Sequence, residues 1–121
     1  MADLSIDGGD VVVALSVAER AEALHGDVRV PVGSITAVEL VADVVGGPHG
    51  LKTVGADLPG VVAVGTFVHD GRRVFVAAHR AHRGGLRLTL RDEAYDELIV
   101  GLADPDGVAE SIRAAGGPER T

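Results

Sequence analysis

Residues 72–91, RRVFVAAHRAHRGGLRLTLR, carry six of the chain's eleven Lys and Arg residues and no carboxylate. Arginine presents a planar fork of donors that matches phosphate or carboxylate, so this concentration is the chemistry of anion recognition or of docking against an acidic protein face. Strand alternation places Val74, Val76 and Ala78 on one side and Arg73, Phe75, Ala77 and His79 on the other, and sets Leu86, Leu88 and Leu90 against Arg87, Thr89 and Arg91. If the two strands pair as a hairpin, Arg73, His79, Arg87 and Arg91 form one outward patch, extended by Arg80, His82 and Arg83 on the connection. The plainer reading is a solvated strand face whose arginines are neutralised by the nearby Asp92, Glu93 and Glu97 and blunt an edge.

Other candidate chemistry is thinner. His79 and His82 are three apart, but on a strand end that is not helical i, i+3 geometry, and a metal site needs third and fourth ligands. His25, His49 and His69 each adjoin a turn signal; His25 beside Asp27 could be an oriented base, yet no nucleophile is identifiable, and Ser16 or Ser34 completes no triad. No metal, cofactor or catalytic residue is therefore expected. Residues 46–60, GGPHGLKTVGADLPG, hold five glycines and two prolines without periodicity and are expected to be one long loop, a flexible connection or a recognition loop with Lys52 and Asp57 as polar contacts. Neither G-x-x-x-x-G-K-[ST] nor G-x-G-x-x-G occurs.

Short Val-rich segments separated by turn residues must position these groups, a mainly β pattern. Residues 4–6 and 11–15 flank DGGD, and 62–69 and 72–79 flank Asp70-Gly71, both hairpin signals. Pro31 marks an edge or a bend, because it cannot donate to a ladder. SVAERAEALHG offers a capping box from Ser16 and Glu19 and predicts a short helix at 17–24. Asp104 as cap, Pro105 in the first turn and Gly116-Gly117 as stop predict a C-terminal helix with a stripe of Val108, Ile112 and Ala115. The expected order is seven to eight strands and that helix.

The segments VPVGSITAVELV (30–41), LKTVGADLPGVVAVGTF (51–67) and LADPDGVAESIRA (102–114) resemble those of bacterial pleckstrin-homology-like families, from about residue 27 onward. The resemblance implies a bent antiparallel barrel closed by its last helix, working as a binding or assembly module. The helix at 17–24 departs from the family's strand-to-strand pattern there.

With 121 residues, a single domain with its own core is expected. A net charge of −7 and only Phe67, Phe75 and Tyr95 as aromatics argue against nucleic acid, which rewards positive surfaces and stacking platforms. The absence of cysteine fits a cytoplasmic protein without disulfides. The start MADLSIDGGD does not read as a signal peptide, and the longest apolar runs fall short of the roughly 20 residues of a membrane span. Abundant Arg, Ala, Gly and Val suggest a high-GC bacterial genome. The functional expectation is a protein partner or self-association; the alternative is a small anion or lipid headgroup at the Arg cluster, and a histidine-dependent enzyme ranks below both.

Overall fold

The computed structural model describes residues 3–14, 28–42, 44, 51–58, 62–79 and 84–119. Nine strands lie in these segments: β1 (Asp3–Asp7), β2 (Asp10–Ala14), β3 (Val28–Pro31), β4 (Ile35–Val41), β5 (Leu51–Leu58), β6 (Val62–His69), β7 (Arg72–His79), β8 (Gly85–Leu90) and β9 (Glu97–Gly101). A 3-10 turn, Val32–Ser34, links β3 to β4, and helix α1 (Pro105–Ala114) closes the described chain. No described helix is long and apolar enough to cross a membrane. The helix predicted at 17–24 lies outside the described residues.

The strands form two open sheets, β1-β2-β3 and β4-β8-β9-β7-β6-β5. The expectation of a barrel is thereby corrected, since both sheets end on strands without a further neighbour among the described residues. Two local devices behave as the sequence predicts. Gly8 (φ 58°) and Gly9 (φ 89°) turn β1 into β2, while Asp70 (φ 51°) and Gly71 (φ 77°) turn β6 into β7, in each case supplying the positive φ that tight hairpin turns demand.

Three expectations fail for non-local reasons. β7 and β8 do not pair as a hairpin: β9 inserts between them, antiparallel to β8 and parallel to β7. A strand in that place is covered on both sides, and the sequence of β7 suits it. Val74, Phe75, Val76 and Ala77 are all buried, so Phe75 and Ala77 face the core rather than solvent. Residues 51–58 are likewise not loop but the edge strand β5, paired antiparallel to β6 with a register shift between Lys52 and Val54. Gly55, one of the glycines that masked it, lies opposite Gly65. This extra strand takes the number above seven to eight.

One face of the larger sheet packs Phe75, Leu86, Leu88, Leu98 and Val100 against Val11, Val13, Val28 and Val30 of the smaller sheet and Ile112 of α1. Its other face carries a smaller cluster of Val44, Val74 and Val76, flanked by Val41 and Ile99. Gly85 admits this packing. A Cβ there would collide with the Val100 carbonyl oxygen and crowd Val44.

Helix α1 reaches β1, β4 and β8 and so bridges the two sheets. The Asp104 carboxylate accepts from the Gly107 N–H at 3.0 Å as its N-cap. At the other end Gly116 (φ 101°) donates to the Arg113 carbonyl and Gly117 to that of Ile112, the paired bonds of a Schellman stop. The buried stripe is Ala109 and Ile112 with Val108 at its margin. Ala115, predicted to belong to it, lies past the last helical turn and is exposed.

Candidate functional site

The insertion of β9 places a carboxylate among the arginines. Glu97 opens β9, pairs with Val74 of β7 and Thr89 of β8, and has a side chain only 7% exposed. A buried charge needs partners, and two arginines supply them from the flanking strands. Arg87 Nη2 donates to Glu97 Oε1 at 2.5 Å, and Arg72 Nη2 lies 3.3 Å from the same oxygen. Both guanidinium groups are nearly half exposed, so the carboxylate is desolvated while its partners keep part of their water. Glu39, which pairs with Arg87 from β4, adds a second negative charge to this row. The hydrogen bond that Arg87 donates to Glu97 holds the Arg87 pKa above its ordinary value against the opposing effect of burial, and the charges of Glu97 and Glu39 reinforce it. The Arg87 Nε is buried and has no partner among the described atoms.

Arg73 and Arg91 stand apart from this row. The Arg73 guanidinium lies over the Tyr95 ring, 5.7 Å from its centre, and Tyr95 in turn packs against Phe75 with ring centres 5.5 Å apart. Its backbone is clamped by Asp96: the Arg73 N–H donates to the Asp96 carboxylate and the Asp96 N–H donates to the Arg73 carbonyl, each at 2.8 Å. The Arg91 N–H donates to the Ser34 carbonyl at 2.9 Å, and the Ser34 hydroxyl donates to Glu93 at 2.7 Å. Both arginine side chains are exposed at one end of the larger sheet, where Asp92, Glu93 and Asp96 also gather.

The predicted patch is thus divided. Arg87 is tied to Glu97; Arg73 and Arg91 share one end; His79, the last residue of β7, lies about 20 Å from Arg73 along the strand. Lys52 is on β5, in register with Phe67 and Val74, at the sheet's far edge. Arg80, His82 and Arg83 lie outside the described residues. Among the described residues no group of three or more His, Cys, Asp or Glu side chains could hold a metal ion. Glu97 neutralises arginines, as its proximity in sequence suggests, but from a central strand rather than an edge. No local pattern marks Arg72, because only the parallel register of β7 and β9 brings it to that carboxylate.

The smaller sheet holds a second network. Arg29 of β3 donates to Asp7 at 2.7 Å and to Asp10 at 2.8 Å, on the exposed side of β1 and β2. Its pKa is raised, first by the hydrogen bond to Asp7 and then by that to Asp10. No family model, curated protein or solved structure matches the chain.

Proposed function

We propose that the protein is a non-enzymatic binding or assembly module of pleckstrin-homology-like kind, working in the cytoplasm and engaging a protein partner or another copy of itself. The observation that carries this reading is that both sheets stop on terminal strands with no further strand beside them among the described residues. Such edges are templates for main-chain pairing with another chain. The arginine row adds support from the other direction. Arg72 and Arg87 are occupied by Glu97 and are poorly placed to hold a free anion.

A second reading is favoured by one observation: Arg73 and Arg91 remain exposed at one end of the sheet, beside Tyr95, and could hold a small anion or headgroup. Native mass spectrometry of the freshly purified protein at low and high ionic strength separates the two. The module reading expects protein-sized added mass, from a second copy or a partner, that survives high salt. A monomer that retains an anion or a metal contradicts it, and an anion lost on changing Arg73 and Arg91 together to Ala would assign the site to those arginines.

A further inference from the structure

We draw no further inference here: the strongest candidate, the apolar cleft of about 480 Å³ between β1 and helix α1 that Leu4, Ile6, Val108 and Ala114 line, carries nothing because nothing in the structure shows what covers it.

Discussion

The two sheets contain inverse versions of one electrostatic motif. On the smaller sheet a single arginine, Arg29, lies between two aspartates in water. On the larger sheet a single carboxylate, Glu97, lies buried between two arginines. Distances are similar, but burial of the central group is not, and burial decides what each network contributes. Exposed pairs exchange protein contacts for water at little gain, whereas a desolvated carboxylate depends on its partners. The comparison also separates fold from function. The arginines that invite a ligand reading in the sequence are partly consumed in holding β7, β8 and β9 together, and the strands without a further strand neighbour among the described residues lie elsewhere, at the sheet edges.

Substitutions along the two networks should separate them. Glu97→Ala leaves two arginines facing each other, one with a buried Nε, and is expected to cost about 3 kcal/mol in urea unfolding followed by circular dichroism. A loss indistinguishable from zero would mean that the buried carboxylate is not the centre of the row. Arg87→Met keeps the stem packed and leaves Arg72 to answer Glu97, so a smaller loss of about 1–2 kcal/mol is expected. Arg29→Met, in contrast, should leave the urea midpoint within error of wild type, and 1 M salt should abolish whatever difference remains.

The smallest effect belongs to Glu110, whose carboxylate is bonded by Arg113 one helical turn along and is fully exposed. That hydrogen bond lowers its pKa below the usual carboxylate range. A lowered folded-state pKa means stabilisation that is present above the unfolded value and is lost as pH falls through the folded one. Glu110→Gln should thus leave the thermal midpoint at pH 7 almost unchanged and alter the acid limb of a pH series only slightly; a large shift at pH 7 would show that exposed pairs here behave like buried ones.

What the sequence reveals follows the range of the interactions involved. Gly8-Gly9, Asp70-Gly71 and the Asp104 to Gly117 frame act over a few residues, and each produces the turn or helix its residue types demand. The place of β9 is set by register between segments more than twenty residues apart, and alternation within β7 cannot report it. One signal was available: the unbroken apolar runs VFVAA and LIVG are those of strands covered on both faces rather than of a half-exposed hairpin. β5 was hidden by glycine and proline at its margins, which outweighed the short LKTVGADL run between them. For the candidate site, the arginines were legible as residue types, but their partition into neutralised and exposed groups depended on where Glu97 falls. The open edge of β1 was legible only through the strand order.

A double-mutant cycle on Glu97 and Arg87, run beside one on Arg29 and Asp7, tests most directly whether the larger sheet has absorbed its arginines. A coupling above about 1 kcal/mol is expected for the buried pair and none measurable for the exposed pair. Equal couplings, or none at Glu97, would contradict it and return Arg87 to the candidates for binding a ligand.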